Sequence, residues 1–248
     1  GNNNTAATQF NWTYDTTAAC TVNGQDYRTI YDTSGTYITL SDLTSQASSW
    51  NNSTDLVMKC DVSQFTSMYR AFRNNSSFNQ DISAWDVSNV TNMNGMFQFA
   101  TSLNSVSFSD TSSVTDMGFM FASTTNLTSV SLSDTSNVTD MSYMFRFTTS
   151  IASVSLPETG AVTNMFAMFY GATSLTSVSL PETGAVTNMN SMFDGATSLT
   201  SVSLPKTGAV TIMSYMFNGA SSLTSVSLPE TGAVTVMSAM FSNATSFD

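Results

Sequence analysis

The sequence predicts an α/β repeat solenoid, and three observations carry that prediction. A Met-x-x-Met-Phe motif returns at a fixed period, each period holds one helix-like and one strand-like apolar pattern, and the chain is apolar enough to form a core. The motif starts at Met93, Met117, Met141, Met165, Met189, Met213 and Met237, each 24 residues after the last. A degenerate copy, Met68 to Phe72 with Ala71 in place of the second Met, stands 25 residues before the first.

Each unit reads as two elements. Val186, Met189, Met192, Phe193 and Ala196 fall at helical spacing on one face and predict a short helix. Leu199 to Leu204 predicts a strand in which Val202 and Leu204 point inward while Ser201 and Ser203 point outward. Pro205 and Gly208 then mark the return turn, because proline cannot donate to a ladder and glycine tolerates positive φ. One unit cannot bury its own apolar stripe; stacked units can, with Leu, Val, Met and Phe in continuous columns. The expected architecture is a right-handed coil with a parallel sheet on one face and short helices on the other.

Residues 1–55 lack the repeat and form the first of two expected domains, a small β-rich N-terminal cap; the solenoid is expected over 56–248. Phe10–Tyr14, Asp26–Tyr31 and Gly35–Leu40 read as cap strands, and Ser41 as the N-cap of a brief helix. Cys20 and Cys60 are the only cysteines. Two alone allow a bridge or free thiols, and an exported setting favours a Cys20–Cys60 bridge stapling cap to solenoid. Closing that loop is worth roughly 4 kcal/mol in the chain-entropy description.

Composition narrows the function classes. Charged residues make up 9% of the chain, against about 25% in an ordinary soluble domain. Ser and Thr supply 42 and 38 of the 248 residues, yet 41% are hydrophobic, which separates this chain from disordered polar polymers. With 17 acids, 6 bases and a net charge of −11, it lacks the clustered Lys and Arg that phosphate backbones and anionic lipids select. It has no histidine, the commonest general base and zinc ligand. No cofactor is expected, and no apolar run reaches the ~18 residues that suggest a membrane span. Gly1 in the place of a starting Met fits either a processed, exported form or a trimmed chain, and Asn-x-Ser/Thr triplets such as those at Asn89, Asn126 and Asn243 permit glycosylation.

Leu199-x-x-Val202-x-Leu204 and its copies resemble the strand of leucine-rich repeats. The stretch from Phe78 to Phe97, with Asp81, Ile82, Trp85-Asp86 and Met93-x-x-Met96-Phe97, resembles more specifically the repeat of BspA-type bacterial surface proteins. The resemblance covers roughly residues 56–247 and implies a secreted or cell-surface protein, with attachment as one role and no catalytic motif to carry over. Later units replace Trp-Asp with Pro-Glu-Thr-Gly.

In a solenoid each position becomes a column with rungs about 4.8 Å apart. The outward strand positions give a hydroxyl lattice from Ser105, Ser107, Ser129 and Ser131 through Ser153, Ser155, Ser177, Ser179, Ser201, Ser203, Ser225 and Ser227. Tolerance of small residues explains it, and so does a face for glycan, host matrix or, less favoured, ice; the last eight serines are the candidate binding face. An acidic column holds Asp110, Asp134, Glu158, Glu182, Lys206 and Glu230, and solvated charge explains it better than calcium. A third column runs Asn92, Asp116, Asp140, Asn164, Asn188 and turns apolar at Ile212 and Val236. With Tyr215 and Phe247 these two form the candidate self-assembly interface. Phe119, Tyr143, Phe166 and Tyr170 add contact candidates on the expected helix side, since aromatics are enriched at interfaces.

Phe247 stands where a further strand would open and no polar cap follows, so covering is expected either by another copy, head to tail, or by further chain beyond this sequence. The sequence therefore predicts a non-enzymatic structural or adhesive surface protein, a subunit of a filament, fibre or surface layer. A module recognising glycan or a surface receptor through its serine face is the alternative.

Overall fold

The computed structural model describes residues 12–15, 18–22, 25–26, 62–63 and 65–247. Near the N-terminus, β1 (Trp12–Asp15), β2 (Ala18–Val22) and β3 (Gln25–Asp26) pair antiparallel in the order β1-β2-β3. The cap strand expected at 35–40, the helix expected from Ser41, and Cys60 lie outside the described residues. The bridge between Cys20 and Cys60 therefore does too.

From residue 65 the chain is a stack of coils. Six of them carry one short strand each: β4 (Ser105–Phe108), β5 (Ser129–Leu132), β6 (Ser153–Ser155), β7 (Ser177–Ser179), β8 (Ser201–Ser203) and β9 (Ser225–Ser227). Every pairing is parallel and holds the repeat in register, with Ser105 opposite Ser129, Ser153 opposite Ser177 and Ser201 opposite Ser225. This is the leucine-rich-repeat-like arrangement that the period predicts. The strand face is not one continuous sheet, however. It is built as the pairs β4-β5, β6-β7 and β8-β9. Packing follows the pairing: Val106, Val154 and Val202 on the first strand of each pair are buried, while Val130, Val178 and Val226 on the second are half-buried.

The unbroken ladder lies elsewhere. Parallel bridges run from Ser67 through Asn92, Asp116, Asp140, Asn164, Asn188 and Ile212 to Val236, one per coil. Beyond each bridge comes the Met-x-x-Met-Phe segment, and here the structure corrects the sequence reading. No described residue belongs to an α-helix. Met117, Phe119, Phe121 and Ser123 instead donate their N–H groups to Asp140, Ser142, Met144 and Arg146 of the next coil, at 2.7–3.0 Å. Between them Met120, Ala122 and Thr124 donate three residues back, to Met117, Phe119 and Phe121. The segment is thus a ribbon of consecutive turns, with left-handed residues at Phe119 (φ 55°) and Ser123 (φ 59°).

Spacing gives the reason. Helices pack about 8–10 Å apart, whereas paired strands lie about 4.7–4.9 Å apart. Successive helices could follow the strand pitch only by splaying into a strongly curved arc. A turn ribbon matches the strand pitch on its own side because its amides bond coil to coil. The apolar spacing that suggested a helix belongs to these turns, whose every third or fourth residue also faces inward.

Inside the stack, like side chains lie on like. Phe72, Phe97, Phe121, Phe145, Phe169, Phe193, Phe217 and Phe241 form a column with neighbouring ring centroids 5.4–5.7 Å apart and planes within 19° of parallel. The first Met of each motif from Met93 to Met213 is wholly buried. Offset-stacked aromatic pairs add about 0.5–1.5 kcal/mol each beyond their area burial, so the column rewards correct register at every step.

Two threonine columns add side-chain rungs. Thr111, Thr135, Thr159, Thr183 and Thr207 are buried. Each hydroxyl donates to the carbonyl of the residue 23 positions on and accepts that same residue's N–H, as Thr183 does with Lys206. Thr91, Thr115, Thr139, Thr163, Thr187, Thr211 and Thr235 are exposed, and each hydroxyl donates to the threonine carbonyl of the preceding coil at 3.1–3.3 Å.

Carboxylates close turns. Asp81, Asp86, Asp110 and Asp134 each accept the N–H of a serine two residues on, at 2.7–3.0 Å. Hydrogen bonds from the hydroxyl and then the N–H of Ser83, Ser88, Ser112 and Ser136 hold these four carboxyls below their ordinary range. Asn92, Asp116, Asp140, Asn164 and Asn188 cap the following ribbon in the same manner. Ile212 and Val236 have no side-chain acceptor for that cap.

Thr183→Val keeps shape and volume but leaves the N–H and C=O of Lys206 without this partner. It is expected to cost about 1–3 kcal/mol, lowering the thermal midpoint by roughly 2–4 °C for each kcal/mol. Thr187→Val, on the exposed column, should cost clearly less. Circular-dichroism melts of the two variants check the difference, and equal midpoints would contradict the buried-threonine role.

Candidate interaction surfaces

The strands place serines outward because side chains alternate across a strand. Ser153, Ser155, Ser177, Ser179, Ser201, Ser203, Ser225 and Ser227 are all exposed, as are Ser105, Ser107, Ser129 and Ser131. None of these hydroxyls takes part in any of the protein's described hydrogen bonds. The neighbouring threonines behave oppositely: Thr128, Thr176 and Thr224 spend their hydroxyls on the carbonyls of Asn104, Ala152 and Thr200 at 3.0–3.1 Å. The sequence distinguishes Ser from Thr at these columns, but not hydroxyls that are free from hydroxyls that are used.

At the N-terminal end of this face lies a recess of about 430 Å³, lined by Asp81, Ile82 and Ser83 against Ser105, Ser107, Ser129 and Ser131. It holds one carboxylate, already engaged with Ser83, and no aromatic side chain.

The acidic column divides into two kinds. Asp110 and Asp134 are turn caps, whereas Glu182 pairs with Lys206 at 3.1 Å in an exposed salt bridge, the kind that contributes about 0–1 kcal/mol. Among the described residues no three ligating side chains converge as a metal site would require. Asp194, farther along, has its carboxyl raised by burial, which a hydrogen bond from Asn218 at 2.9 Å partly offsets.

The candidate self-assembly residues fall in two places. Ile212 and Val236 are neighbours on the bridge ladder, Ile212 half-buried and Val236 42% exposed. Tyr215, 46% exposed, stands on the ribbon beside them with φ 56°. Phe247 is half-buried and stacks on Phe241 at 4.5 Å, so it extends the core column. Met237 is 47% exposed, although its counterparts in the preceding coils are wholly buried.

On the ribbon, the aromatics of neighbouring coils touch. Phe119 stacks on Tyr143 at 4.4 Å, Tyr143 meets Phe166 edge-on at 4.9 Å, and Phe147 meets Tyr170 edge-on at 5.2 Å. Phe147 is absent from the sequence-derived candidates; the signal that marks it is its departure from Ser123 and Gly171 in the two adjacent coils, a departure that Phe99 shares two coils earlier.

Among solved structures, the chain is similar to a leucine-rich repeat protein from Bacteroides ovatus, with 20% identity and a TM-score of 0.49 over 72% of this chain and 44% of that one. A leucine-rich repeat protein from Eubacterium ventriosum matches at 16% identity and a TM-score of 0.41, over 63% and 57% of the two chains. A leucine-rich cell surface protein from Faecalibacterium prausnitzii matches at 17% and 0.32, over 73% and 67%. The chain thus spans less than half the length of the first of these. No curated protein matches. One family matches in four overlapping stretches, residues 8–128, 38–155, 104–202 and 163–248, which together take in nearly the whole sequence. The chain belongs to that family, described as "Mycoplasma protein of unknown function, DUF285".

Proposed function

We propose that this is a non-enzymatic, exported surface protein that acts by making contacts, and that its serine-lined sheet face is a binding surface for a polyhydroxylated ligand such as a glycan or host matrix. The free hydroxyls of that face carry the reading. Most threonine hydroxyls in the coils are consumed by coil-to-coil bonds, whereas the strand serines retain donor and acceptor capacity toward solvent. The rungs hold them as an uncharged, repeated array of hydroxyls, in register within each strand pair, which suits many weak parallel hydrogen bonds. The exported setting is supported by the scarcity of charge and by the resemblance of the Phe78–Phe97 stretch to surface-protein repeats.

Replacing Ser177, Ser201 and Ser203 together by Lys places three long cations on the face at positions that are already exposed, so folding is expected to survive. The expected result is binding of the wild type on a glycan array or to matrix-coated surfaces, reduced about tenfold or more in the variant, equivalent to about 1.4 kcal/mol. Silence of the array together with unchanged adhesion of the variant contradicts this reading.

Self-association is a second reading, favoured by one observation. The bridge-ladder column that caps its ribbon with Asn or Asp in five successive coils gives up the cap at Ile212 and Val236, leaving an apolar strip beside exposed Tyr215. Such a strip supports assembly into a filament, fibre or layer. Light scattering on the eluting protein is expected to give a mass that rises with concentration, with Ile212→Asn and Val236→Asn restoring the monomer; a monomer at every concentration overturns this second reading.

A further inference from the structure

We infer that the turn ribbon carries a second, separate contact site, centred on Arg146, for a protein segment that presents a carboxylate beside apolar side chains. Its parts are Phe119, Tyr143, Arg146, Phe147, Phe166 and Tyr170, drawn from three successive coils and lying on the ribbon rather than on the sheet.

Three observations carry it. First, aromatics of adjacent coils meet here. The position of Phe119 and Tyr143 holds Arg70, Gly95, Ala167, Ser191, Tyr215 and Ala239 in other coils, and that of Phe147 holds Phe99, Ser123, Gly171, Gly195, Gly219 and Asn243. Away from the buried phenylalanine column, rings of successive coils touch, among the described residues, only within this cluster. Second, the aromatics occupy left-handed backbone, with φ of 55° at Phe119, 57° at Tyr143 and 55° at Phe147. The ribbon fixes this left-handed backbone in every coil, at Ala167, Ser191 and Ala239 as well, so each of these side chains leaves the backbone in a set direction. Gly171 clears the space for one of them: a Cβ at Gly171 would lie 2.3 Å from the Phe147 ring. Third, the guanidinium of Arg146 lies 4.4 Å from the centroid of Phe147, 5.6 Å from Tyr170 and 5.8 Å from Tyr143. Among the described residues it has no carboxylate within ion-pair reach and no acceptor for its N–H groups.

The chemistry of the partner follows from the charge and the aromatic cluster around it. A half-exposed guanidinium, held in place by rings and with its forked donors unused, is set to receive a carboxylate in bidentate fashion. This chain has 17 acids and 6 bases, yet none of the described carboxylates pairs with Arg146. The surrounding rings are engaged with one another and with the guanidinium, and apolar side chains of a peptide would add to that aromatic cluster beside the carboxylate. Tyr and Arg in a partly dehydrated cluster are also the residues that dominate protein–protein contacts.

The test pans the whole chain, immobilised, with a random peptide library displayed on phage, and counter-selects on Arg146→Gln. Gln98 fills the same column position in an earlier coil, so this variant is expected to keep its fold and thermal midpoint. The expected result is enrichment of peptides with Asp or Glu beside apolar residues. These should bind the wild type about tenfold more tightly than Arg146→Gln, lose the same factor when their own acid becomes an amide, and weaken on Tyr170→Ser. Failure of enrichment, enrichment of sequences without an acid, or equal binding to Arg146→Gln overturns the proposal. So does Arg146-dependent binding of a sialylated oligosaccharide with no peptide selected. None of these outcomes bears on the serine face, whose own test uses different residues and ligands.

Discussion

The structure depends on one constraint: each coil must sit on the next in fixed register, 25 residues on at the first step and 24 at every later one, because the backbone of one coil satisfies its amides on the backbone of its neighbour. Met117, Phe119, Phe121 and Ser123 all bond one coil ahead, while Thr115 bonds its N–H and its hydroxyl one coil back, to Thr91. A slip of one residue would turn Met117 and Phe121 outward and expose an aromatic column that is otherwise continuous from Phe72 to Phe241. Few interactions are available to correct such a slip electrostatically, since charged groups are so scarce. Repeated side chains perform that task instead: the phenylalanine stack and the buried threonines fit only when like lies on like.

Much of this was legible in the sequence, and the missing part has a definite cause. The fixed return of Met-x-x-Met-Phe and the alternation of Val202 with Ser201 and Ser203 identify the solenoid and its outward strand positions. The turn ribbon was not legible, because Met189, Met192 and Phe193 lie at a spacing that a helix and a chain of tight turns share. Only the destination of the amides, within the segment or across to the next coil, separates the two. The division of the strand face into pairs was equally hidden, since the strands Ser129–Leu132 and Ser153–Ser155 differ little in sequence from their partners.

The surface follows the same distinction between groups that serve the stack and groups that do not. Asp110 and Asp134 look from sequence like free charges or calcium ligands, yet they close turns with Ser112 and Ser136. Asn92 through Asn188 look like solvent-facing variation, yet they cap the ribbon. Once such groups are set aside, what remains unengaged is compact: the strand serines, the Ile212–Val236 strip, and the cluster around Arg146.

The most direct measurement of the register constraint is the excision of one whole coil, residues 165–188, which joins Asn164 to Met189 and preserves every column. Because each coil touches only its neighbours, such a chain should lose one increment of stability and nothing else. It is predicted to retain the β-type circular-dichroism spectrum and a cooperative melt, whereas removal of half a coil, residues 165–176, abolishes both. If excising the whole coil is as destructive as excising half of one, the coils do not stack as equivalent rungs, and the account of this fold is wrong.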